Sequence, residues 1–170
     1  MSESVSDYKA RLLSYVGGRD PMDLLRQGPE RLEALLRRAA PATLKWAPAP
    51  GRWTIGQIAA HLADVELVLA YRARRILATP GAAIEAYDQD RWAAVVRYAT
   101  IDPSRSLARY RETRRWSLEL LGALSENEWQ AYGLHAERGR ESIRELVALT
   151  AGHDQNHFRQ IEERLAAGTL

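Results

Sequence analysis

The 170-residue sequence has no cysteine, which removes disulfides, thiolate metal ligands and a cysteine nucleophile from consideration. Any thiol chemistry must import its thiol. Neither sign of charge dominates: 24 basic side chains stand against 22 acidic ones, for a net charge of +2, so no cationic field is present to gather nucleic acid. The arginine clusters Arg72, Arg74, Arg75 and Arg109, Arg111, Arg114, Arg115 are interleaved with acids such as Glu66, Glu112 and Glu119, a pattern that reads as solvated helix faces. Long apolar runs are missing too. The longest, Ile58 to Tyr71, is interrupted by His61, Asp64 and Glu66 and falls short of the roughly 20 residues a membrane span needs. The first residues carry Glu3, Asp7, Lys9 and Arg11, which fits neither the apolar region of a signal peptide nor an acid-poor transit peptide. The expectation is a cytoplasmic protein with no membrane or nucleic-acid partner. β-Branched runs bounded by turns are scarce while Ala, Leu, Arg and Glu abound, which points to an all-α protein.

What is present suits one compact domain over residues 1–170, since 46% of the side chains are hydrophobic and this length supports one core. Val5 to Val16 has apolar residues at helical spacing and ends at Gly17-Gly18, a helical extension within residues 1–18. Met22 to Ala39 is the first bundle helix, with Gly28-Pro29 predicting a break or kink because proline cannot donate the i to i−4 bond. Residues 41–51, with Pro41, Pro48 and Pro50, read as an extended loop. Thr54 with Gln57 forms a capping-box pattern and Trp53 can staple onto Ile58, so the second bundle helix should start at Thr54 and reach about Leu77. Asp88 opens a short helix within Tyr87 to Tyr98, and Asp102-Pro103 caps a third bundle helix from Ser104 to Leu124. A connector, Ser125 to Arg140, leads to a second capping box, Ser142 with Glu145, and the fourth helix from Ile143 to about Ala167. The architecture is a four-helix bundle with an extra N-terminal helix and short connecting helices. Trp46, Trp53, Trp92, Trp116 and Trp129 read as core and staple residues, because no basic stripe accompanies them.

Only four histidines exist. His153 and His157 are four apart on the last helix, so both project from one side, within the stripe Ile143, Leu146, Thr150, Ile161 that should face the interior. His61 sits likewise among Ile58, Leu62 and Val65. Three inward imidazoles cost desolvation unless their nitrogens are satisfied. Spacing alone leaves two readings open: a three-histidine divalent-metal site with an open position, as in catalytic zinc centres, or core histidines bonded to their neighbours. Asp154 after the first histidine of the pair means this is not the H-E-x-x-H motif of zinc proteases. His135, in a connector with Gly133 and Gly139, reads as a surface or loop-packing histidine. Asp64, one turn from His61, and Gln155 or Asn156, flanking the pair, are candidates for orienting the ligands.

The segments Arg52-Trp53-Thr54-Ile55, Ile58, His61-Leu62-Ala63-Asp64, Tyr87-Asp88-Gln89-Asp90-Arg91-Trp92, the Gly139 connector, and His153-Asp154 with His157 together resemble the DinB/YfiT-like superfamily. The resemblance covers most of the chain. It implies a four-helix bundle of unusual connectivity, frequently dimeric, in which one histidine of the second bundle helix and two of the last bind a divalent ion, zinc or nickel; here these are His61, His153 and His157. Some relatives are thiol S-transferases or isomerases that use bacillithiol, mycothiol or a similar small thiol. The function this implies is a metal-dependent, low-molecular-weight-thiol S-transferase acting on a small electrophile, with a metal-dependent hydrolase or a non-enzymatic metal-binding module as alternatives.

Overall fold

The computed structural model describes residues 3–167. Helix α1, Val5–Val16, is capped by Ser4, whose side chain accepts from the Asp7 amide, and it ends at Gly17 with φ 61°, a left-handed conformation that glycine adopts without steric cost. Helix α2 spans Pro21–Arg38 behind the cap Asp20. A short helix α3, Pro41–Lys45, precedes α4, Ile55–Ala78, which opens with both halves of the Thr54–Gln57 capping box in place. Asp88 caps α5, Gln89–Val95, and Asp102 caps α6, Pro103–Gly122. Helix α7, Glu126–Trp129, uses a Ser125–Glu128 box, and α8, Ile143–Ala167, is preceded by reciprocal Ser142–Glu145 bonds.

The long helices α2, α4, α6 and α8 form the bundle, with α2 packed on α6 and α8, and α4 packed on the same two. Thus α2 and its sequence successor α4 sit diagonally, as do α6 and α8. An up-down-up-down bundle would place successive helices side by side; this connectivity crosses the bundle instead. Helix α1 lies outside, against α8. Two apolar clusters make the core, one around Leu24, Leu25, Leu69, Ile76, Ile143 and Leu146 and one around Leu32, Ile55, Ile58, Leu62, Phe158 and Ile161. No helix among the described residues is long and apolar enough to cross a membrane.

The α1–α8 contact depends on Gly152, where a Cβ would stand 2.1 Å from the Leu12 carbonyl oxygen. Gly152→Ala must therefore displace α1 and is expected to cost about 2–3 kcal/mol in a urea unfolding curve, the range of overpacking against a wall that cannot yield. Gly122→Ala meets nothing within 4 Å and should leave stability unchanged or raise it by up to about 1 kcal/mol.

The helical bundle stands as expected, and several local expectations require correction. Helix α2 runs unbroken through Pro29: the carbonyl of Leu25, which proline leaves without its i+4 donor, accepts instead from Arg114 Nη1 at 2.8 Å. Residues 41–45 are helical rather than extended, with Pro41 at the first-turn position where its missing N–H costs nothing. The connectors also form a small sheet of β1, Ala83–Ile84, β2, Tyr132–His135, and β3, Gly139–Ser142, in the order β1-β2-β3. Strand β2 runs parallel to β1 and antiparallel to β3, with His135 opposite both Ile84 and Gly139. Arginines read as solvated include two that are buried, Arg72 and Arg114. Trp116, read as a core residue, is exposed and carries Arg74 on its ring at 3.6 Å; Trp46 is exposed as well.

Candidate metal centre

His61 on α4 and His153 and His157 on α8 are brought together across the bundle, as their spacing predicts. The Nε2 atoms of His61 and His157 each lie 3.1 Å from Nε2 of His153. Burial, reinforced for His61 and His157 by the neighbouring imidazoles, pushes all three below their ordinary value, His153 to about 4. All three are neutral at pH 7.

Neutral imidazoles cannot satisfy this arrangement among themselves. An sp² ring nitrogen offers one hydrogen or one lone pair in the ring plane, so Nε2 of His153 cannot make two good bonds to two facing Nε2 atoms. The three buried Nδ1 atoms have no partner among the described residues either. A cation is the one species that takes three convergent lone pairs at once. Tetrahedral coordination at 2.0–2.1 Å separates ligand nitrogens by about 3.3 Å, close to the 3.1 Å contacts observed. The donor set therefore fits a divalent ion of the imidazole-preferring kind, and three protein ligands leave a position for an exogenous group.

The surrounding elements fix the rings. Trp53, just ahead of the α4 cap, lies 4.7 Å from the His61 ring and 6.5 Å from that of His157, centroid to centroid. Its carbonyl accepts from Arg164 Nε at 2.9 Å, tying this loop to α8. Asp64 accepts from Tyr98 Oη at 2.7 Å, and burial followed by that carboxylate raises the Tyr98 phenol. Gln155 accepts from Arg31 on α2 at 2.6 Å and so braces helices rather than orienting a ligand. Asp154, between the two α8 histidines, accepts from Tyr110 Oη at 2.6 Å and from Arg114 Nη2 at 2.8 Å. Arg114 also donates from Nε to Glu66 at 2.6 Å. This buried set links α2, α4, α6 and α8 directly behind the histidines. Its members were legible only as helix-face charges.

Of the three histidines, His153 also lines a cavity of about 460 Å³. Leu12 of α1, Val65, Val68 and Leu69 of α4, and Leu146 and Leu149 of α8 supply apolar wall, and Arg72, Tyr87, His135 and Arg138 supply polar wall. His135 is not a surface residue: it is 3% exposed on β2, with burial holding its pKa down to about 4. No sequence signal placed it inward: in Tyr132-Gly133-Leu134-His135 the apolar Leu134 is exposed while Gly133 and His135 are buried, the reverse of what hydrophobic alternation would predict.

Four histidines with depressed pKa values set the acid response. In the unfolded chain each titrates near 6.5; in the fold they stay neutral further down, so below pH 6.5 the unfolded state binds protons that the native state refuses. Stability is fully present above that value and is lost as pH falls toward about 4, where His153 and His135 begin to protonate in place. The slope is about 1.4 kcal/mol per pH unit for each imidazole held neutral. Thermal melts of chelator-treated protein should be flat above neutrality and fall steeply between pH 6.5 and 4; equal melting temperatures at pH 7 and pH 5 would contradict the burial of these rings.

A family model described as the DinB superfamily matches residues 24–161. YfiT of Bacillus subtilis (strain 168), named as a candidate metal-dependent hydrolase, is 26% identical over 166 residues, covering 96% of this chain and 93% of its own. A protein of Geobacillus thermodenitrificans named in the same way is 29% identical over 142 residues, covering 81% of this chain and 78% of its own. The solved structure of YfiT, described as a probable metal-dependent hydrolase with an unusual four-helix bundle topology, matches with a TM-score of 0.80 at 23% identity over 96% of this chain and 88% of that one. The crystal structure of a mycothiol-dependent maleylpyruvate isomerase matches with a TM-score of 0.59 at 14% identity, over 86% of this chain and 58% of that one. Both structures share the fold.

Proposed function

From the premise that this chain belongs to the DinB superfamily, we propose that it is a divalent-metal-dependent enzyme whose ion is held by His61, His153 and His157. The observation that carries the reading is the convergence of three neutral Nε2 atoms on one point, with His153 at the wall of the cavity. Zinc and nickel suit such a donor set. An ion held by these three residues would supply Lewis acidity, lowering the pKa of an exogenous thiol or water toward neutrality.

The first reading of the reaction is transfer of a small thiol to a small electrophile. The neighbouring carboxylates favour it. Asp64 is engaged by Tyr98, Asp154 by Tyr110 and Arg114, and Glu66 by Arg114, each through one oxygen, so each is stabilised by a donor and weakened as a general base. Attack by water gains from such a base, whereas a thiol loses its proton more readily. The chain brings no cysteine, so the sulfur would come from outside. Trp53 packs on His61 and His157 with Tyr98 against its own ring, and the cavity is large enough for a small organic substrate. Hydrolysis is the second reading, favoured by the names of the Bacillus and Geobacillus relatives.

The two are separated by incubating zinc- or nickel-loaded protein with glutathione, cysteine or coenzyme A and 1-chloro-2,4-dinitrobenzene, beside p-nitrophenyl acetate without thiol. Saturable, chelator-sensitive loss of free thiol supports transfer. Metal-dependent ester cleavage with no thiol consumption supports hydrolysis. Neither activity in fully loaded protein, across a wider panel of thiols, electrophiles and esters, would leave the ion a structural role and overturn the enzymatic reading.

A further inference from the structure

The wall of the cavity opposite the apolar side chains holds a charge without a counter-ion. Arg72 is 7% exposed, and among the described residues no carboxylate lies within ion-pair distance of it. Among the described residues its one hydrogen bond runs from Nη2 to the carbonyl of Glu85 at 2.6 Å, and the rest of the guanidinium fork meets no acceptor there. Beside it Arg138 is engaged with Glu141, Nε to Oε1 and Nη2 to Oε2, both at 2.8 Å. Two guanidinium groups and one carboxylate sum to a single positive charge. Burial and the nearby Arg138 lower the Arg72 pKa, while Glu141, already bonded to Arg138, acts on it only from a distance.

His135 adds a neutral donor to the same wall. Its Nδ1 accepts from the amides of Glu137 at 3.2 Å and Arg138 at 3.3 Å, which assigns the ring hydrogen to Nε2. That Nε2 is buried and has no partner among the described residues. A buried donor left unmade costs about 1–3 kcal/mol, and a buried arginine without an anion costs more. The phenols of Tyr8 and Tyr87, both raised by burial, flank the same space as neutral hydroxyls. The acids that also line the cavity are engaged or outward: Glu3 bonds Arg11, Asp88 accepts from the amides of Asp90 and Arg91, and Glu137 is exposed.

We propose that Arg72, Nε2–H of His135 and Arg138 form a carboxylate-binding subsite, and that the substrate is a small monoanion with an apolar body. The single uncompensated charge matches one carboxylate and would be exceeded by a phosphate dianion. The guanidinium fork of Arg72 presents the planar donor pair that a carboxylate accepts, and Val65, Val68, Leu146 and Leu149 line the cavity for the body. His153 lines the same cavity, so the far end of the ligand reaches the metal centre; this last step alone rests on the function proposed above.

The test is calorimetric titration of chelator-treated, metal-free protein with hexanoate and with its neutral isostere hexanamide, which keeps carboxylate–metal ligation out of the measurement. Hexanoate should bind about tenfold or more tightly than hexanamide, the effect of one charge-assisted contact in a dry site. Arg72→Gln should abolish that preference while leaving hexanamide binding unchanged, and Arg72→Lys should restore part of it. His135→Asn keeps an oxygen where Nδ1 accepts from the turn and deletes the Nε2–H donor; it should lower hexanoate affinity even if Arg72→Gln fails to fold. All three variants should retain the metal uptake of the parent. No binding of hexanoate, or equal affinity for acid and amide, would overturn the subsite. Carboxylate preference in a protein that takes up no zinc or nickel would leave the subsite standing and remove the metalloenzyme; metal uptake without the preference would do the reverse.

Discussion

Purified without a histidine tag or chelator, this protein is expected to carry about one equivalent of divalent metal, and His61→Ala, His153→Ala and His157→Ala each to carry less than about a tenth of that. The expectation follows from the donor set. With no cysteine in the chain and the nearby carboxylates engaged by Tyr98, Tyr110 and Arg114, loss of one imidazole leaves two ligands and no substitute. His153 is the most sensitive position, since its Nε2 lies 3.1 Å from each of the other two. Ligands must be deprotonated to bind. Because burial already keeps these rings neutral well below pH 6.5, loading should need no alkaline buffer. His135→Ala, on the sheet, should retain the full equivalent. Elemental analysis of the five proteins decides the matter: parent protein that is metal-free and takes up neither zinc nor nickel would sink the metal centre.

Replacement of Arg114 should have the largest effect on stability. The side chain is 1% exposed and holds Glu66, Asp154 and the Leu25 carbonyl in three directions, with its guanidinium 4.7 Å above the Tyr110 ring. Arg114→Leu strands two buried carboxylates and a carbonyl that Pro29 cannot serve. Breaking a buried charge set in this way costs about 3–5 kcal/mol, a large part of the roughly 5–15 kcal/mol that a domain possesses. Denaturant curves should show the midpoint displaced to lower denaturant by that loss divided by the slope of the transition. Arg114→Lys keeps the charge but not the fork, and should recover only part of the loss. Combining Arg114→Met with Glu66→Leu and Asp154→Leu should recover more of it, because the penalty lies in uncompensated charge rather than in missing volume. Should the triple variant be no better than Arg114→Leu, the network is holding helix geometry by shape and hydrogen bonding, and the electrostatic account fails.

The link between these two results is Asp154. It follows His153 on α8 and is bound from α6 by Tyr110 and Arg114, so the network that fastens the bundle also sets the rotation of the helix bearing two histidines. Partial loss of metal in Arg114→Lys is the expected sign of that coupling.

The amino-acid sequence by itself determined where the long helices begin and end. Those signals are local: Ser4, Asp20, Thr54, Asp88, Asp102 and Ser125 satisfy nearby amides, and Gly17 closes α1, each within a few residues of its cause. The histidine pair was legible for the same reason, since an i, i+4 spacing on an apolar stripe needs only helix geometry to be read, and His61 was legible from its place among Ile58, Leu62 and Val65, with the family resemblance joining the three as one ligand set. Only the tertiary structure decided what charged residues do. Arg72 and Arg114 look alike in sequence to Arg75 and Arg115, which are exposed; what separates them is which face of α4 and α6 meets α2, α8 or the sheet. The sheet itself, and with it the burial of His135, depends on pairing Ala83–Ile84 with a segment some fifty residues later, and strands this short carry too little periodicity to announce themselves. Pro29 gives the clearest case: sequence predicts a break because a donor is missing, and the fold keeps the helix because Arg114, 85 residues further along the chain, provides another donor at the same carbonyl.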